Sequence, residues 1–156
     1  MSLGEFDLID TFFKDQGRSR SDTRLGVGDD CAILRPRPGM ELAVTADTLV
    51  AGVHFLPDTD PAGLGHKALA VSLSDLAAMV AEPAWLTLAL TLPETDERWL
   101  QEFARGFLEL AEQYEAELVG AIPPAAPWPS PYRPWASSPN RAACAALPPG
   151  PETAST

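Results

Sequence analysis

The character of this 156-residue chain changes once, after Gly120, and that break limits what can fold. Ten of the sixteen prolines lie beyond it: Pro123, Pro124, Pro127, Pro129, Pro131, Pro134, Pro139, Pro148, Pro149 and Pro151. Proline has no N–H to donate and a fixed φ, so this density works against both helix interiors and central strands. The same stretch carries one acid, Glu152, and two bases, Arg133 and Arg141. The chain therefore divides into a folding unit over residues 1–120 and a proline-rich tail over 121–156. The tail is expected to be disordered and to add nothing to a core.

The first zone holds 21 of the 22 acids and 9 of the 11 bases. A surface that acidic does not fit a protein that grips nucleic acid through basic side chains. It remains compatible with anionic substrates recruited through magnesium held by carboxylates. Cys31 and Cys144 stand far apart and form no metal-spacing motif, so a reduced, cytoplasmic protein is expected. Residues 1–10 lack the basic-then-apolar pattern of a signal peptide, and no apolar run is long enough to span a membrane.

Periodicity in the first zone predicts alternating elements. Phe6, Ile9, Phe12 and Phe13 share a helical face over 5–14. Residues 26–30 read as a glycine-bounded loop, 31–34 as a short strand and 35–39 as a turn. Residues 42–45 read as a strand that delivers Asp47 beyond its end, and 62–80 as a helix. Residues 85–92 read as a strand. Asp96 caps a helix to about residue 115, with Phe103, Phe107, Leu110 and Tyr114 as its apolar stripe. Leu118 and Val119 begin a further strand. Strands mixed with helices give an α/β, or α+β layered, domain.

Three acids stand where such a fold would expose them at loops or element ends: Asp30, Asp47 and Asp75. Carboxylates converging from separate elements suit a magnesium–phosphate site. Asp29 and Asp30 serve equally well as turn or cap residues, and Asp47 as a plain surface acid. Asp75 is less ordinary, because it interrupts an apolar helix between Leu73 and Leu76. His54 in its apolar setting reads first as a hydrogen-bonded structural residue. Gly26 and Gly28 could shape a phosphate loop, although Gly-x-Gly alone is weak and no Walker lysine pattern is present.

Taken in order, the segments resemble the thiamine-monophosphate kinase family. The matching blocks are Gly4-Glu5-Phe6 with Leu8-Ile9; Leu25-Gly26-Val27-Gly28-Asp29-Asp30-Cys31-Ala32; Thr45-Ala46-Asp47-Thr48-Leu49-Val50-Ala51-Gly52-Val53-His54-Phe55; and Lys67-Ala68-Leu69-Ala70-Val71-Ser72-Leu73-Ser74-Asp75-Leu76-Ala77-Ala78-Met79. Pro83-Ala84-Trp85 also fits. The resemblance covers residues 1–120.

It implies the N-terminal domain of the aminoimidazole ribonucleotide synthetase-like superfamily. It also implies pairing of such domains in a homodimer, and a separate C-terminal domain completing each site. The implied reaction moves a phosphoryl group from ATP to thiamine monophosphate, with Mg2+. Asp30, Thr45, Asp47 and Asp75 are implied as metal ligands, all three acids converging on one site. Gly28 and Asp29 are implied at the nucleotide and His54 at the substrate. No separate catalytic base is implied, since the attacking phosphate oxygen is already anionic. Related ATP-using synthetases of the superfamily are the alternative reading, and a non-catalytic dimerising fragment is a second one.

The chain departs from the family pattern at Ala46, where a hydroxyl residue is common, and at Val80, where glycine is usual. The larger departure follows Gly120, where the family continues Gly-Gly-Asp-Thr-Thr-Arg-Gly-Pro-Leu. Residues 120–128 can be encoded GGC GCG ATA CCA CCC GCG GCC CCC TGG. One G inserted after the first codon converts that stretch into the family block. The same shift makes residues 144–153 compatible with another family pattern. A lost base therefore accounts for the tail, and the chain on its own is expected to be inactive.

Overall fold

The computed structural model describes residues 10–14, 16–92, 96–122 and 140–147. Within them lie β1 (Thr23–Leu25), β2 (Ile33–Leu34), β3 (Glu41–Thr48), α1 (Pro61–Ala78), β4 (Glu82–Ala89), α2 (Glu97–Gln113), β5 (Glu117–Ile122) and β6 (Asn140–Leu147). Residues 10–12 are helical, and the rest of the expected 5–14 helix lies largely outside the described residues.

Four strands form one sheet in the order β3-β6-β4-β5. β6 runs antiparallel to both β3 and β4, and β4 and β5 are parallel. β3 and β4 therefore run the same way, with α1 as the connection between them and α2 as the crossover from β4 to β5. Both helices join the main core, where Leu64, Leu69, Leu73 and Leu76 of α1 meet Leu100, Phe103 and Phe107 of α2 and Leu86 and Leu88 of β4. A second, smaller cluster of Ala84, Trp85 and Val119 packs with Ala32 and Leu34 beside the β1–β2 hairpin.

The helix ends follow from local chemistry. The Asp60 carboxylate accepts the Gly63 N–H at 2.7 Å, and Pro61 opens α1, where no N–H is needed. Asp96 does the same for α2, accepting from Arg98 and Trp99. Both helices end alike. Ala81 N–H reaches Leu76 O and Val80 N–H reaches Ala77 O; Ala116 N–H reaches Ala111 O and Glu115 N–H reaches Glu112 O. These are Schellman closures, which put one residue in the left-handed region. Here that residue is Val80 (φ 56°) and Glu115 (φ 55°) rather than glycine. The usual glycine at position 80 thus has its physical reason in the turn.

The two helices meet backbone to backbone. A Cβ on Gly65 would lie 2.1 Å from Phe103 O, and one on Gly106 would lie 2.0 Å from Ala62 O. No side chain fits at either point.

Three expectations differ from the structure, and one strand was not foreseen. Asp47 lies inside β3 rather than beyond its end, because pairing with β6 continues through Thr48↔Asn140. Tyr114 caps α2 and is 50% exposed rather than buried in the stripe. The β1 strand, unmarked by any apolar alternation, pairs with β2. Within the tail, expected to hold no regular structure, residues 140–147 form a strand paired on both sides, and Ala121 and Ile122 extend β5. The reason is local: no proline occurs between Pro139 and Pro148, so every N–H of that stretch is available to a ladder. The remaining tail residues, Trp128 and Trp135 included, lie outside the described residues.

Candidate functional site

Strand β3 and helix α1 build the site between them. On a strand, alternate residues face the same way, so Thr45 and Asp47 point together. On a helix, residues three apart are neighbours, so Ser72 and Asp75 do too. The two pairs meet as rungs. Thr45 Oγ1 donates to Asp75 Oδ2 at 2.9 Å, and Ser72 Oγ lies 3.4 Å from Asp47 Oδ2. Ser72 is the one polar residue among the described residues that is fully buried, at 1% exposure. Its role went unread in the sequence, although its three-residue spacing to Asp75 was the available signal.

Neither carboxylate forms an ion pair with a described side chain. Asp75 also sits in the last turn of α1, where the helix dipole opposes a negative charge. The bond from Thr45 needs an acceptor there but not a negative charge. Two carboxylates and a hydroxyl make a hard oxygen set, and magnesium commonly takes one or two carboxylates and completes its shell with phosphate and water. The residues fit such an ion.

Asp30 does not join them. Among the described residues, no three of His, Cys, Asp and Glu come together as a metal cage. The expected convergence of all three acids is thus not found. Asp30 is exposed, and its N–H donates to Asp29 Oδ1 at 2.8 Å within the turn. Asp29 takes the local turn role its residue type allows. Gly28 has φ 113°, a conformation that favours glycine, and faces the Lys14 side chain. Lys14 itself pairs with Asp10 at 3.1 Å.

His54 stands on the loop leaving β3. It is exposed, and its Nδ1 accepts the Val50 N–H at 3.0 Å. Lys67 of α1 donates to the His54 carbonyl.

A polar network on the other face of the sheet also escaped the sequence reading. Arg20 grips Asp22 with two bonds of 2.9 and 3.0 Å, and its guanidinium lies 5.5 Å from the Trp85 ring centroid. Glu117 accepts from Arg20 N–H at 2.8 Å and from the Thr23 hydroxyl at 2.6 Å. Trp85 Nε1 donates to that hydroxyl at 2.9 Å. The hydrogen bond from Arg20, before any longer-range charge effect, holds the Asp22 carboxyl below its ordinary range. These bonds tie the hairpin to β4 and β5.

Residues 28–121 match the family model "AIR synthase related protein, N-terminal domain". The thiamine-monophosphate kinase of Escherichia coli (strain K12) is 57% identical over 120 residues, covering 77% of this chain and 37% of that protein. The chain thus spans little more than a third of the curated relatives it matches. A crystal structure of thiamine-monophosphate kinase from Stenotrophomonas maltophilia K279a superposes with a TM-score of 0.69 at 45% identity, over 83% of this chain and 38% of that one. A structure of AaThiL complexed with AMPPCP and TMP superposes with a TM-score of 0.62 at 28% identity, over 95% and 44%. No helix among the described residues is long and apolar enough to cross a membrane.

Proposed function

We propose, from the premise that this chain belongs to the AIR synthase related family and carries the N-terminal region of a thiamine-monophosphate kinase, that it is the metal–phosphate half of that enzyme. The intact protein transfers the γ-phosphoryl group of ATP to the phosphate of thiamine monophosphate, giving thiamine diphosphate. The observation that carries this reading is the pair of rungs joining Thr45 to Asp75 and Ser72 to Asp47.

Two phosphate-bearing substrates repel each other, and bound Mg2+ supplies the neutralising charge. Asp47 and Asp75 would hold it through their carboxylates and Thr45 through its hydroxyl, while Asp30 stays apart on the 26–30 loop. The Thr45 hydroxyl orients the Asp75 carboxylate, and buried Ser72 sets its hydroxyl 3.4 Å from Asp47, a long contact. Gly28 and Asp29 face the nucleotide, and His54 contacts thiamine monophosphate. No protein base is needed, because the attacking oxygen carries its own charge. The protein works in the cytoplasm as a homodimer, without nucleic acid or membrane. The related synthetases of the superfamily are not favoured, because the curated relative at 57% identity is a kinase.

After Gly120 the sequence departs from the family's nucleotide block, and turnover is expected only once that block is restored. The test restores one base after the Gly120 codon and measures ADP release. Release that depends on both thiamine monophosphate and magnesium is expected. No such dependence, in a folded repaired protein, overturns the assignment.

A further inference from the structure

The segment between β3 and α1 is a closed loop. Gly52 takes φ 76°, which a side chain would resist. Gly52 N–H donates to Phe55 O at 2.7 Å, and the Val53 and His54 N–H groups donate to Val50 O at 3.2 and 2.8 Å. Val50 N–H in turn donates to His54 Nδ1 at 3.0 Å. A ring nitrogen that accepts a hydrogen bond carries no proton, so the neutral His54 ring holds its proton on Nε2. The ring is exposed.

We propose that this loop fixes His54 as an outward-facing Nε2–H donor, and that Lys67 is the positioning residue that keeps it so. His54 is then matched to an acceptor atom of the substrate, such as a phosphate oxygen, and is unsuited to act through Nδ1 as a base or ligand. Lys67 acts by holding the His54 carbonyl. It ties the loop to the helix that bears Asp75, eight residues and about 12 Å further along the axis. The histidine and the metal carboxylates thus share one rigid support. The substrate role rests on the function proposed above; the fixed tautomer does not.

Long-range 1H–15N spectra of the full chain, labelled at histidine and held at about pH 8 where an ordinary imidazole is neutral, separate the two tautomers. His66, exposed on α1, is the internal reference for an unconstrained ring. His54 is expected as the Nε2–H form alone. In Lys67→Met its signals move toward the tautomer mixture of His66, and in Lys67→Arg they return. A purely structural role for Lys67 would not move them. A wild-type His54 protonated on Nδ1, or a folded Lys67→Met chain with unchanged His54 signals, overturns the proposal. Thiamine monophosphate added to the wild-type sample tests the substrate separately. A shift of the Nε2 signal supports the match of donor to acceptor. Its absence, with the tautomer fixed, removes that ligand and leaves the lock standing.

Discussion

The hydroxyl of Thr45 on β3 donates to the carboxylate of Asp75 on α1 across 2.9 Å, joining residues thirty positions apart. Strand and helix are thereby locked at the point where two acids, Asp47 and Asp75, gather, with Arg141 of β6 opposite Asp47 in the ladder. The arrangement keeps negative charge at a helix C-terminus, where it costs about 0.3–1 kcal/mol. Such a cost is characteristic of functional sites.

Asp75→Asn should therefore separate stability from function. The amide keeps the shape and an acceptor for Thr45 but removes the charge that opposes the helix dipole. Urea unfolding is expected to show a gain of about 0.3–1 kcal/mol. In the repaired protein the same change should abolish most turnover at limiting magnesium. A loss of stability with unchanged turnover would contradict both halves.

The helix crossing allows no side chain. Gly65→Ala and Gly106→Ala each place a methyl about 2 Å from a carbonyl oxygen of the opposing helix. Relief requires the helices to move apart and empties the core around Phe103 and Phe107. A loss of about 3 kcal/mol or more is expected in either variant, read by denaturation or by soluble yield. A neutral result would mean the crossing is wider than described.

At Val80 the opposite change helps. The residue is β-branched, left-handed and 87% exposed, so it bears backbone strain and has little packing to lose. Val80→Gly should relieve that strain, offset in part by the freedom glycine adds to the unfolded chain. A net gain of about 1 kcal/mol is expected. Thermal unfolding of the two chains side by side checks it.

Acid should loosen the β1–β2 hairpin. The hydrogen bond from Arg20 lowers the folded pKa of Asp22 below its unfolded value. The stability it contributes is therefore fully present above the unfolded value, about 3.9, and is lost as pH falls through the folded one. Asp22→Asn should be less stable than the natural chain near neutrality and should lose less stability on acidification. Unfolding midpoints across the acid range measure this, and parallel pH profiles would contradict it.

Features set by neighbours in sequence were legible in advance. Asp96 caps a helix through bonds to residues two and three positions on, and Leu86 and Leu88 announce a strand by alternation; the cap at Asp60 was equally local but was not foreseen. Thr45, Asp47 and Asp75 were legible as candidates, though their contact was not, because it depends on how α1 lies on β3. Features made by distant residues were hidden. Glu117 pins Thr23 from 94 positions away, and nothing near Thr23 marks β1 as a strand. Gly65 and Gly106 carried no signal in the sequence, because what each meets is the backbone of the other helix. The strand at 140–147 was obscured by the prolines around it, whose effect does not reach into a proline-free run of eight.

Whether β3 and α1 together seat a divalent ion is read most directly with Mn2+ as a paramagnetic substitute for Mg2+. The amide signals of the 15N-labelled full chain are followed as the ion is added. The account predicts selective broadening around Thr45, Asp47, Ser72 and Asp75, reversed by excess Mg2+ and lost in Asp75→Asn. Broadening spread over the acidic surface, equal in the natural chain and in Asp75→Asn, would contradict it.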